Sequence, residues 1–449
     1  MSIHHLKSIA MASVMALSGP ATAVAAEQGP VPAASVQAIS LPSAGSVAAL
    51  YNQYKLKPIW FKNGAPTVAA TQLTQILRRA PLDGLGSGPQ LADQIDAAVA
   101  GATNPTAISQ AEQLMSSAWV LYVQTIRRPT SGMVYAYDVL KPQGTRPDQI
   151  LLGASSAPSL EAHVSSVAAV NPIYSSIRDA EWKRMQATGS STPDPRVVAN
   201  LDRVRSIPSK GRFILVDSAS QRLFMYENGI PVDSMKVVVG MPTMPTPLIS
   251  SVMYYVTFNP QWNAPVHLVK GPIATKTLAG GMKYFDHMGY EVMADWTANS
   301  AVLPADSVDW KAVSTGRAPP PRIRQKPGKD NFMGLLKFTF PNSQDIYLHD
   351  TPAKEKFKLA SRDVSNGCVR LEDAQRFGRW LLGREPVAPG TDPEIPVQMP
   401  QGVPIVITYI TAQPSADGSS LTFAKDIYGW DKPGAQIASS YVSPVAAAR

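Results

Sequence analysis

The chain has 449 residues, 45% of them apolar and 16% charged, which excludes a disordered or highly charged chain and leaves room for two or three domains. Lys and Arg number 41 against 33 Asp and Glu, a net charge of +8, and the single cysteine excludes an intrachain disulfide or a multi-cysteine zinc site. Forty prolines argue for long ordered loops rather than a helical bundle throughout.

The first 26 residues run from Lys7 through the apolar stretch Ile9–Leu17 and Pro20 to the small residues Ala23-Val-Ala-Ala26. That is the order of a secretory signal peptide, and its apolar part is too short to span a bilayer. Its removal would leave a mature chain of charge +7, suited to an anionic wall polymer or membrane surface. No later stretch approaches the ~18 apolar residues of a membrane helix, so an exported chain without a transmembrane segment is expected. Residues 27–45, rich in Ala, Pro, Ser and Gly, read as a flexible linker.

Residues 46–205 read as helical. Leu73, Ile76, Leu77 and Ala80 recur at helical spacing, as do Leu114, Ala118, Leu121 and Tyr122, with Gly84, Pro89, Gly101 and Pro105 as punctuation. After the loop Gly189–Pro195 a short helix is expected over Arg196–Arg205. Beyond Pro208 the pattern turns to strands: Arg212–Val216, Arg222–Tyr226, Met235–Val239, Met253–Phe258, Leu335–Phe340, Ile346–Leu348 and Ile405–Tyr409. Asn228-Gly229 predicts a tight hairpin turn, because both residues tolerate positive φ. Residues 264–329 interrupt this β region with a Pro- and Gly-rich insertion far longer than the usual connection of about 4–6 residues, and are read as a lid. Tyr284, Tyr290, Trp296 and Trp310 argue against disorder there.

The chemistry concentrates in Tyr347-Leu-His349-Asp350 and Ser365-Asn-Gly-Cys368-Val-Arg370. Alone, Cys368 reads as a buried, inert side chain, but Gly367 permits a tight turn before it and a helical pattern over Leu371–Leu382 follows. Amides at that helix N-terminus are expected to lower the thiol pKa. His349 ends an apolar run 19 positions earlier, so it is paired with Cys368 for nucleophilic acyl transfer, with the Gly367 and Cys368 N–H groups as oxyanion donors. His267 and His287 have no ligand-spaced partner, so no metal and no cofactor are expected. Scattered positive charge in an exported chain argues against nucleic acid.

His349, fifteen intervening residues and Ser365-Asn-Gly-Cys-Val-Arg370 resemble the active-site signature of L,D-transpeptidases with a YkuD-type catalytic domain. Gly240–Pro247, Phe258–Pro265, Asn331–Gly334, Tyr51–Trp60, Leu82–Leu85, Asn200–Arg205 and Asp426–Gly429 resemble further blocks of the large Gram-negative branch. The resemblance implies an α+β chain: a helical scaffold domain over 46–205, a mostly β catalytic domain over 206–430 with its lid, and a C-terminal tail over 431–449. Neither the role of that tail nor an oligomeric state is assigned.

The resemblance also implies a periplasmic enzyme acting on peptidoglycan stem peptides, with Cys368 as nucleophile, His349 as base and the Asp350 carbonyl as its orienter. Arg370 would shape the site or bind a carboxylate, a structural ion pair being the competing role. Ser365 and Asn366 would border the substrate, and Tyr347, Trp262 and Asn331 would form pocket walls. Carbapenem acylation of Cys368 is implied too. Asn366 stands where many members have His, and little room is left for a separate wall-binding module. An L,D-carboxypeptidase or a non-enzymatic wall-binding protein are alternatives; a papain-like protease would place cysteine before histidine.

Overall fold

The structure, a computed structural model, describes residues 40–295, 297, 300–432, 435 and 437. The expected signal peptide, nearly all of the linker up to residue 39, Trp296 and most of the tail lie outside the described residues.

The N-terminal region is helical, as its spacing predicts: α1 (Ala44–Tyr54), α2 (Val68–Arg79), α3 (Gly88–Ala100), α4 (Pro105–Ile126), α5 (Pro147–Ser155), α6 (Leu160–Ala169), α7 (Pro172–Thr188) and α8 (Pro195–Val204). Starts of several helices are written locally. Asn104, Asn171 and Asp194 each cap a helix by accepting a backbone N–H, and each is followed by a proline whose missing N–H costs nothing at that position. The long α4 runs through the middle of the first core, where Met115, Ala118, Trp119, Val120 and Tyr122 are fully buried among residues of α2, α3 and α6.

The β region opens with a strand borrowed from the helical one. β1 (Val134–Tyr135) is followed by β2 (Phe213–Asp217), β3 (Arg222–Glu227), β4 (Ile230–Gly240) and β5 (Ile249–Phe258). Asn228 and Gly229 turn β3 into β4 with φ of 53° and 78°, the conformation their pairing predicts. The chain then leaves the sheet: β6 (Trp262–Asn263), a π turn at Val269–Ile273, α9 (Ala274–His287), β7 (Tyr290–Met293), β8 (Val302–Leu303), α10 (Trp310–Ser314) and β9 (Arg322–Gln325). This insertion has its own sheet, in the order β8-β7-β9-β6, and its own core of Trp262, Val269, Ile273, Phe285, Tyr290, Trp310 and Ile323. It is therefore an ordered subdomain, as its aromatics suggested.

The chain returns through β10 (Leu336–Thr339), β11 (Leu348–His349), β12 (Asp363–Ser365), β13 (Val369–Leu371), α11 (Ala374–Leu382) and β14 (Ile395–Thr408). Pairing follows β10-β11-β13-β4-β3-β2-β14-β5, and β5 pairs back to β10, so eight strands close into a barrel. β1 runs parallel beside β5, Val134 opposite Ile249.

Every residue of β2 is buried, which explains its unbroken apolar run. Ile214 and Val216 face one core with Phe377 and Leu381 of α11; Phe213 and Leu215 face another with Tyr174, Ile177, Val197 and Leu201 of α7 and α8. The helical region thus covers the outside of the barrel, and the fold class is α+β. Among the described residues no helix is long and apolar enough to cross a membrane.

Candidate active site

Strand geometry assembles the site. β11 and β13 pair in parallel, Leu348 opposite Val369 and His349 opposite Arg370. Side chains alternate along a strand, so Leu348, Val369 and Leu371 point into the core, where they are fully buried. Tyr347, His349, Cys368 and Arg370 take the other face. All four line one cleft of about 780 Å³, walled opposite by Trp262, Val266, Ile273, Lys276, Tyr284 and Tyr290 of the insertion.

The His349 ring is nearly buried and its Nδ1 lies 2.5 Å from the Asp350 carbonyl oxygen. A carbonyl only accepts, so Nδ1 carries the proton and Nε2 keeps a lone pair for use as a base. Burial, and then the neighbouring Arg370 cation, lower the His349 pKa to about 3. The imidazole is neutral at any physiological pH.

Cys368 departs from expectation. The residues after it form β13, not a helix; α11 begins at Ala374, where Asp373 accepts the Arg376 N–H at 2.9 Å. The helix start is pushed six residues beyond the thiol, because Val369–Leu371 are claimed by pairing with β4 and β11. Burial instead raises the thiol pKa to about 11, with hydrogen bonding from Tyr347 and the charge of Arg370 pulling weakly the other way. The resting pair is neutral thiol and neutral imidazole. The thiol itself lies 3.8 Å from the Asp345 carbonyl, to which it donates.

The expected neighbours divide. Tyr347 stands edge-on to the His349 ring at 5.8 Å, and Trp262 packs on Phe332 in the cleft wall at 4.7 Å. Asn366 borders the cleft, as does Arg370, whose guanidinium makes no hydrogen bond or ion pair among the described residues. Ser365 is buried and its hydroxyl is spent within the turn, donating to the Cys368 carbonyl at 2.6 Å and accepting from Gly367 N at 3.2 Å. That bond also occupies the Gly367 N–H, which was expected to serve as an oxyanion donor. Asn331 is not a pocket wall: it is buried, donates to Lys326 O at 2.8 Å and accepts from Met333 N at 2.7 Å. Its neighbours Phe332 and Met333 reach the cleft instead.

Gly334 closes that turn at φ 61°, and a Cβ there would overlap the Asp350 carboxylate, which holds Leu335 N at 3.1 Å and Lys354 Nζ at 2.8 Å. Gly334→Ala is expected to cost on the order of 1–3 kcal/mol, read as a lower denaturation midpoint, and to slow turnover by shifting the Asp350 carbonyl from His349.

One cleft thus holds both a thiol and an imidazole whose tautomer is fixed. Residues 211–407 match the family model of the YkuD L,D-transpeptidase catalytic domain, and residues 45–180 match that of the Scaffold domain. The chain therefore carries a YkuD L,D-transpeptidase catalytic domain behind a Scaffold domain. It is also 27% identical over 323 residues to a Haemophilus influenzae protein provisionally named an L,D-transpeptidase. The match spans 70% of this chain and 64% of that relative, under two thirds of its length.

Proposed function

We propose that the chain is a peptidoglycan L,D-transpeptidase working through a cysteine thioester. The observation that carries this reading is the common face of β11 and β13, which puts Cys368, His349, Arg370 and Tyr347 in one cleft. As a donor stem tetrapeptide enters, Sγ–H turns from Asp345 O to His349 Nε2. Sulfur adds to the carbonyl of the third residue, diaminopimelate, while Nε2 takes the thiol proton. The tetrahedral adduct collapses, the bond to the terminal D-Ala breaks, and the departing amine takes that proton from the imidazolium. An amine of a neighbouring stem then attacks the thioester, its proton leaving through Nε2, to give a 3–3 or a 1–3 link. The Arg370 guanidinium supplies a cation for a stem carboxylate. Export to the periplasm follows from the signal-like N-terminus, and carbapenems would acylate the same sulfur.

The test is incubation of the mature protein with purified disaccharide-tetrapeptide and mass analysis of the products. A cross-linked dimer with release of D-Ala is expected. Tripeptide alone would replace transfer by hydrolysis, making the protein an L,D-carboxypeptidase, and unchanged substrate would leave a wall-binding role.

A further inference from the structure

The turn that carries Cys368 is held from behind by Thr246, far away in sequence, and Tyr428 braces Thr246 in turn. Thr246 is fully buried; its hydroxyl donates to the Gly367 carbonyl at 2.7 Å and accepts from Gly240 N at 2.9 Å. The Tyr428 hydroxyl in turn donates to Gly240 O at 2.7 Å and accepts from Thr246 N at 3.3 Å. Neither residue lines the cleft.

Tyr428 belongs to a segment anchored firmly to the helical region. Its ring stacks on Tyr409 at 5.0 Å and packs on Trp430 at 4.8 Å. Asp426 accepts Trp430 N and Asp431 N, both at 3.0 Å. The buried Arg203 of α8 grips the same segment, donating to Trp430 O at 2.9 Å and pairing with Asp431 at 2.5 Å.

The Gly367 carbonyl and the Cys368 N–H are the two ends of one peptide plane, and in a trans peptide they point in opposite directions. A hydroxyl that fixes the carbonyl on one side therefore aims the N–H to the other. With the Gly367 N–H occupied by Ser365, the Cys368 N–H is the oxyanion donor this turn can aim. We propose that Thr246 and Tyr428 are positioning residues that aim the Cys368 N–H at the developing oxyanion, and that the segment around Tyr428 ties this aim to α8. The proposal rests on the reading of Cys368 as nucleophile.

The test compares Thr246→Val, Thr246→Ser and Tyr428→Phe in the full mature chain. Two rates are measured for each: transfer from disaccharide-tetrapeptide, and alkylation of Cys368 by iodoacetamide, which needs the sulfur but no oxyanion donor. Thr246→Val is expected to lower kcat by about 10–100-fold, with KM and the alkylation rate within about twofold of the parent. Thr246→Ser, which keeps the hydroxyl, should restore kcat to within about threefold, and Tyr428→Phe should fall between the two. Two outcomes overturn the proposal: a Thr246→Val kcat within about twofold of the parent, or a parallel fall in alkylation, which would mean that the sulfur itself had moved. Product formation by Cys368→Ala would instead overturn the nucleophile reading beneath it.

Discussion

Cys368→Ala is expected to abolish product formation, and His349→Ala to lower kcat by about 10²–10⁴-fold, both measured by mass analysis of the muropeptide products. The pH profile of the parent separates this site from the more familiar thiolate–imidazolium pair. With His349 lowered to about 3 and Cys368 raised to about 11, base and thiol are both in working form throughout the interval between. Acylation, read as the release of D-Ala, should be flat from about pH 5 to 9, without the inflection near 6.5 that an ordinary histidine would give. Alkylation of Cys368 should climb tenfold per pH unit from about 7 to 10, because the reactive thiolate is a small fraction that grows with pH. An ion pair formed in the resting enzyme would give a plateau there instead. The same shifts act on stability. The unfolded chain binds a proton at His349 before the folded one does, so stability drops as the pH falls from about 6.5 toward 3. At the other end the unfolded thiol ionises first, so stability drops again as the pH rises from about 9 toward 11.

What could be read from the sequence was what neighbours along the chain decide. The Asn228-Gly229 turn, the apolar run of β2 and the proline-started helices α4, α7 and α8 each follow from local steric and burial rules. That Cys368 and His349 share one cleft was legible because the glycine turn and the end of a strand are local too. Pairing across the barrel was not. The acids and apolar spacing of Leu371–Leu382 suggest a helix starting close to the thiol, but β4 and β11 offer ladder bonds on both sides of Val369–Leu371 and take them into the sheet. β14 runs for 14 residues, yet Pro396, Pro400 and Pro404 hid all but its end; the strand absorbs them partly through a register shift between Gln398 and Val403. Asn331 failed as a wall residue because its amide is consumed by the backbone of its own turn. Thr246 lies 121 positions from the Gly367 carbonyl it holds, and Tyr428 lies 188 and 182 positions from Gly240 and Thr246, and no local signal marks such partners.

The Leu82-Asp-Gly-Leu85 block was legible only as a resemblance, and its physical reason leads to the largest expected effect on stability. Asp83 is fully buried between the helices of the N-terminal region, where its two oxygens accept from Tyr122 at 3.0 Å and Tyr174 at 2.8 Å. The Arg178 guanidinium stands 3.6 Å away, itself almost fully buried. Gly84 turns the chain at φ 94°, and a Cβ there would press on the Arg128 guanidinium, which donates to the Asp83 carbonyl at 3.2 Å. One carboxylate thus answers two hydroxyls and a cation contributed by α4 and α7. Asp83→Leu keeps the volume but leaves all three facing apolar surface, a loss of about 3–5 kcal/mol. Tyr122→Phe removes one hydroxyl and leaves the carboxylate its other partners, a loss nearer 1 kcal/mol. Urea denaturation followed by far-UV circular dichroism checks the order. Equal midpoints for the two variants would mean that the carboxylate contributes no more than one of its hydrogen bonds, and the account of this network would be wrong.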